Sequence, residues 1–162
     1  MAVAPLGKIL LYVDATEGAL AAARYAIVLA KTYGAALHAV YVVNERMLEE
    51  LLRAKVFVEE EEVDLEADLE EDGRRYLAYV ERLANEKELE ITTELVRGVV
   101  HREVLDKAVE TEAQLIVIGK IYEQLSRMDS YYDEAEEMLR RAKCPVLIVK
   151  GETIVDELYE SV

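Results

Sequence analysis

Short, almost wholly apolar runs alternate along this chain with longer segments whose apolar residues recur every third or fourth position. Lys8 to Val13 (KILLYV) is rich in strand formers, which predicts a short buried strand. Asp14-Ala-Thr16-Glu17 follows, and both Asp14 and Thr16 have a side-chain oxygen able to cap a helix. Leu20, Ala23, Ile27 and Ala30 then repeat at helical spacing, and Gly34 supplies the left-handed residue that ends such helices. Ala35 to Val43 (AALHAVYVV) predicts a second strand. Because a helix lies between the two strands, they are expected to be parallel.

The pattern resumes after an irregular stretch. Arg74 to Lys87 is helical in period, through Tyr76, Leu77, Val80, Leu83 and Ala84. Leu89 to Val96 (LEITTELV) predicts a third strand of alternating character, and Gly98 a turn. Arg102 to Thr111 reads as a short helix with Val104, Leu105 and Ala108 inward. Leu115 to Ile118 is the fourth strand, and a helix near Asp133 to Lys143 presents Ala135, Met138, Leu139 and Ala142. Pro145 to Val149 (PVLIV) is the fifth strand, with proline at its first residue, where no ladder donor is missed. Gly151 to Val162 reads as a polar tail, with Ile154, Val155, Leu158 and Tyr159 at helical spacing.

These elements predict one α/β domain over 1–150, followed by a tail over 151–162. Its core is a doubly wound, mainly parallel five-stranded sheet flanked by helices, Rossmann-like in plan. The least regular part is an acidic insert at about 44–75. Within it Arg46 to Val58 reads as one short helix, while Glu59 to Asp72 carries ten acidic residues and no basic ones. Such a run reads first as a solvated helix face or mobile loop. A docking surface for a basic partner or a loose cation site is the sharper alternative, and no Asp-x-Asp-x-Asp-Gly spacing supports calcium.

Composition narrows the partners. The 162 residues are 52% hydrophobic, enough for a real core, and the formal net charge is -15. Such an acidic protein repels phosphate backbones and anionic lipid, so neither nucleic acid nor a membrane surface is an expected partner. Cys144 is the only cysteine, so no internal disulfide can form. With no apolar signal core in Met1 to Gly7 and no membrane-length apolar run, a soluble cytoplasmic protein is expected.

Candidate chemistry concentrates after the fourth strand, which ends on Gly119. In open α/β sheets, ligands bind outside the carboxyl ends of the strands. A phosphate loop would need more glycines there. This loop and the helix after it offer Tyr122, Tyr131, Tyr132, Asp129, Asp133 and Glu134 instead. Gly119-Lys120 lacks the glycine and hydroxyl of a P-loop. Asp14 is either a ligand acceptor or a helix cap, and both uses fit its place. The tyrosines either stack on a ligand or pack on their own loop. His101, just past the Gly98 turn, is a candidate base or phosphate contact, whereas His38 reads as packing. The two histidines make no local ligand pair, so no metal site is expected. Cys144 reads as a small buried hydrophobe.

Taken together the motifs resemble the universal stress protein family. Lys8-Ile-Leu-Leu-Tyr-Val-Asp14-Ala-Thr-Glu17 is similar to its first strand and turn, and Ala26 to Ala35 to its first helix and the glycine ending it. Gly98 with the helix after it, Leu115-Ile-Val-Ile-Gly119, and Cys144-Pro145-Val-Leu-Ile-Val149 resemble the later pieces in order. ATP-binding members carry Gly-x2-Gly-x9-Gly-Ser/Thr after strand four. In this chain Gly119 matches the first position, while Tyr122, Tyr132 and Asp133 replace the other three. The resemblance makes Asp14, Val40, Gly98 and Gly119 the candidate nucleotide contacts and Tyr122, Tyr132 and Asp133 the residues expected to block ATP.

The implied role is stress-related regulation or signalling, without catalysis and without a cofactor. It would act through an unidentified protein partner and through a homodimer formed by the last strand, Pro145 to Val149. That strand would otherwise be an exposed apolar edge. The alternative is a switch binding AMP, ADP or ATP through an atypical phosphate loop. An adenine-nucleotide α-hydrolase shares the similar fold but would need a Ser-Gly-Gly-x-Asp-Ser loop, where this chain has Asp14-Ala-Thr-Glu-Gly18-Ala.

Overall fold

The computed structural model describes residues 6–54, 59–120 and 129–162. Strands β1 (Lys8–Val13) and β4 (Leu115–Ile118) form where the apolar runs place them. Strands β2 (Ala36–Asn44), β3 (Ile91–Gly98) and β5 (Val146–Ile148) lie within two residues of expectation. The sheet order is β3-β2-β1-β4-β5, and every neighbouring pair is parallel. Both faces of this sheet are covered. Ile9, Leu11 and Val13 of β1 enter one core cluster, while Leu10 and Tyr12 enter the other. That is why β1 reads as a continuous apolar run rather than as an alternation.

Helix α1 (Glu17–Tyr33) begins at Thr16, whose extended backbone (φ -109°, ψ 157°) and hydroxyl, accepting from Ala19 N at 3.3 Å, make a standard N-cap. It ends at Gly34 (φ 65°), whose N–H reaches Ala30 O. The buried face of α1 is mostly alanine, including Ala19, Ala22, Ala23, Ala26 and Ala30, so the helix can lie close on the sheet. Helix α2 (Glu45–Ala54) opens with Asn44 Oδ1 accepting from Met47 N at 3.2 Å.

The acidic segment corrects the expected division of the chain. Helix α3 (Glu59–Asn85) is continuous over 27 residues and joins the acidic run to the apolar helix after it. Carboxylates concentrated toward a helix N-terminus complement its dipole, which favours this extension. Val80, Leu83 and Ala84 anchor the later turns in the core. Gly73 marks the crossing of α3 over the sheet: a Cβ there would stand 2.7 Å from the Tyr41 ring and 2.6 Å from Leu95. A mid-helix glycine costs about 1 kcal/mol of propensity, but here it lets helix and sheet touch.

Helices α4 (Val100–Glu110) and α5 (Asp129–Arg141) cover the other face. The expected polar tail is instead helix α6 (Glu152–Ser161), docked on α1. Its Val155 and Tyr159 are buried in the core, Tyr159 OH donates to Leu83 O at 2.7 Å, and Asp156 pairs with Arg24 at 3.0 Å. Helix α6 thus buries its apolar face on its own chain.

On the outer edge, His38 does more than pack. Its Nε2 lies 3.1 Å from Glu94, which also takes the Lys107 ammonium at 2.8 Å. The hydrogen bond from Lys107, and then that from His38, holds the Glu94 carboxyl below its usual range. Among the described residues, no helix is long and apolar enough to cross a membrane.

Candidate functional site

The strand order reverses between β1 and β4, and that switch point brings Asp14 and Gly119 together at the carboxyl edge of the sheet. Asp14 Oδ1 accepts from Thr16 N at 2.8 Å and from the Thr16 hydroxyl. Asp14 therefore fixes the turn that sets Thr16 as the cap, so the helix-side role is the one its Oδ1 serves. Beneath it, Tyr41 is pushed up to about 12, first by burial and then by the Asp14 and Asp72 charges.

Gly119 is needed for a close approach between backbones. A Cβ there would lie 2.7 Å from the Gly18 carbonyl carbon and 3.0 Å from Ala19 N. The reverse contact is nearly as tight, since a Cβ on Gly18 would stand 3.2 Å from Lys120 N. The end of β4 is therefore packed against the first turn of α1. Val40 is fully buried in the core with Leu10, Tyr12 and Val104. Gly98 sits at φ 152°, and a Cβ on it would meet the Glu103 carboxylate at 2.6 Å, so it shapes the entry to α4.

Tyr122 lies outside the described residues. So do the side chains of Asp129, Tyr131, Tyr132 and Asp133, although the backbone there is already α5. Glu134 is described, and its carboxylate is engaged within the chain. The residue is 2% exposed. One oxygen accepts from the backbone N–H of His101 at 2.7 Å and from the ring Nδ1 at 2.6 Å. The other lies 3.3 Å from the Arg46 guanidinium. The N-cap residue of α4, Val99, has no side-chain acceptor, so Glu134 satisfies one of the orphan N–H groups of that helix from outside. Because a carboxylate accepts, His101 Nδ1 carries the donated proton. An anion supplied by the chain itself thus occupies the start of α4.

Sequence reasoning flagged His101 alone and missed its partner. The available signal was position. Glu134 precedes Met138 by one helical turn, on the same stripe as Ala135 and Met138, and a carboxylate on an apolar stripe must be paired. Among the described residues no three His, Cys, Asp or Glu side chains gather as a metal-ion shell.

Comparison with known proteins agrees with this architecture. A model of the universal stress protein family matches residues 5–150. A universal stress protein of Methanocaldococcus jannaschii is 32% identical over 143 residues, covering 88% of this chain and 81% of the relative. A solved universal stress protein family member from Burkholderia pseudomallei superposes with a TM-score of 0.72 at 26% identity, over 93% of this chain and 100% of its own. A universal stress protein from Archaeoglobus fulgidus, solved in complex with dAMP, has a TM-score of 0.61 at 20% identity, over 89% and 98% of the two chains.

Proposed function

Because this chain belongs to the universal stress protein family, we propose that it is a non-enzymatic regulatory module that signals through protein contacts without binding ATP. The observation that carries this reading is Glu134. Its carboxylate already takes the His101 N–H at the start of α4 and the Arg46 charge, so an anion seeking that helix start meets a buried carboxylate. A triphosphate would have to displace a buried, satisfied carboxylate before gaining those contacts. Tyr122, Tyr132 and Asp133, which replace the family's glycines and hydroxyl, argue the same way from the sequence. The formal charge of -15 adds a repulsive field for any polyanion.

The test is direct. Mass spectrometry of the freshly purified, denatured protein should release no stoichiometric adenine nucleotide, and titration with MgATP should give no saturable heat. Co-purified ATP, ADP or AMP would establish instead a nucleotide switch with an unusual loop; the Archaeoglobus relative was solved in complex with dAMP.

The same reading makes the working form a cytoplasmic homodimer joined through β5. That strand is an edge of the sheet, and its Val146, Leu147 and Ile148 remain half-buried. Light scattering at micromolar concentration should give twice the chain mass, and a monomer there would remove the dimer from the proposal.

A further inference from the structure

A second site stands at the opposite end of the sheet, where the reading above requires nothing. Between the ends of α4 and α5 and the starts of β4 and β5 lies a half-open cavity of about 370 Å³. That volume falls in the range of small-molecule sites, roughly 300–1,000 Å³. Leu105, Ala108, Ala113, Ile116 and Cys144 make its apolar wall. Four charged residues stand around it: Asp106, Glu112, Arg141 and Lys143.

Those four are not equally available. Glu112 pairs with Lys8 at 3.5 Å. Arg141 Nε lies 2.7 Å from Glu137 Oε2, a charge contact made outside hydrogen-bonding alignment. Asp106 and Lys143 have no ion pair among the described residues. The cavity thus offers one unpaired acid, one unpaired base and an apolar wall.

The charge of the ligand follows from its surroundings. A simple carboxylate could meet Lys143, but it would approach a chain of net charge -15 at the carboxyl ends of two helices, Glu110 of α4 and Arg141 of α5. Both helix ends carry partial negative charge, which favours an ammonium group. A simple amine would satisfy Asp106 and leave Lys143 without a counter-charge. A molecule bearing both charges meets both residues and pays no net field penalty. We propose that this cavity binds a small zwitterion with an apolar body, in its simplest form a free apolar amino acid. Its side chain lies against Leu105, Ala113 and Ile116, its carboxylate turns to Lys143 and its ammonium to Asp106.

Cys144 gives the readout. It is the chain's only cysteine, and it lines the cavity, so its alkylation rate reports occupancy. Burial pushes its thiol up, which makes the reaction slow enough to follow. The intact protein is alkylated with iodoacetamide while L-leucine or L-phenylalanine is titrated in. Parallel titrations use their deaminated and decarboxylated analogues. The amino acids should protect Cys144 saturably, at concentrations about tenfold or more below either single-charge analogue. Lys143→Gln, an exposed change, should lose that protection while retaining the circular dichroism spectrum and melting temperature of the parent. If that variant does not fold, Asp106→Asn serves the same purpose at the other charge. The proposal is overturned by an absence of protection up to the solubility limit, by analogues equal to the amino acids, or by undiminished protection in the folded charge variant.

Discussion

At the carboxyl end of the sheet, α4 opens over a carboxylate sent from α5, and Gly119 presses its backbone onto Gly18. At the amino end, the same two helices finish beside an open apolar cavity whose Asp106 and Lys143 lack ion pairs among the described residues. Among the described residues, the Gly119 and α4 spots at the first end are filled by backbone contact and an internal carboxylate, whereas the cavity at the second keeps volume and unpaired charge. In this fold the end with the filled spots is where ligands are expected. Position in the architecture therefore says where a site can be, and the satisfaction of individual polar groups says whether it still has anything to offer.

The largest effect should come from Glu134→Ala, which leaves the buried His101 N–H and ring without their acceptor. A loss of about 2–4 kcal/mol is expected, with a fall in Tm on the order of 10 °C. Glu134→Gln, which keeps an acceptor, should cost less. Urea and thermal melts decide it, and an Ala variant as stable as the parent would break the contrast, since the carboxylate would then be filling nothing. Next comes Gly119→Ala. Its methyl would meet backbone rather than a movable side chain, so about 1–3 kcal/mol should be lost in denaturant titration.

A smaller effect tests the charged edge between the two ends. The folded carboxyl of Glu94 is held down by Lys107 and His38, so its contribution is present above the unfolded value near pH 4.3 and is lost as pH falls through the folded value. Half-exposed pairs contribute little, about 0–1 kcal/mol. The stability gap between the parent and Lys107→Met should therefore shrink in melts below about pH 4. A gap that stays constant to pH 2 would assign the effect of Lys107 to packing. The smallest effect should be at the open end, where Ala113→Val adds methyls to a cavity wall and should change stability by no more than about 0.5 kcal/mol. A large loss there would mean the two ends are equally tight.

The strands were legible in the sequence because burial on both faces leaves little room for polar residues: β1 and β4 match their apolar runs residue for residue. Gly34 announced the end of α1 through its own chemistry, and its start was narrowed to Asp14 or Thr16, of which Thr16 is the cap. Helix α3 was harder, because its first half carries acids where a helix-period stripe would be read, and Val63, Leu65 and Leu69 give only a thin apolar edge. The C-terminal helix was hidden by its short length and polar flank, although Val155 and Tyr159 stand one turn apart on it. The site was half legible. Gly119 was marked as a candidate nucleotide contact, and the Gly18 backbone it packs against lies a hundred residues away in sequence. Glu134 was read by its sign rather than by its helix face, and the meeting of α4 with α5 is a tertiary fact that no local pattern encodes.

The docking of α6 has a mechanical consequence. The family's shared region stops at residue 150, yet the phenol of Tyr159 is tied to Leu83 at the end of α3, with the Lys87 ammonium 4.5 Å over its ring, and Asp156 is tied to Arg24. Under tension applied at the C-terminus, those three ties lie first in the line of force. The chain would peel like a zip from its last turn, uncovering Val149 and the flank of α1 before any strand yields. Residues 151–162 would then serve as the fold's tear strip.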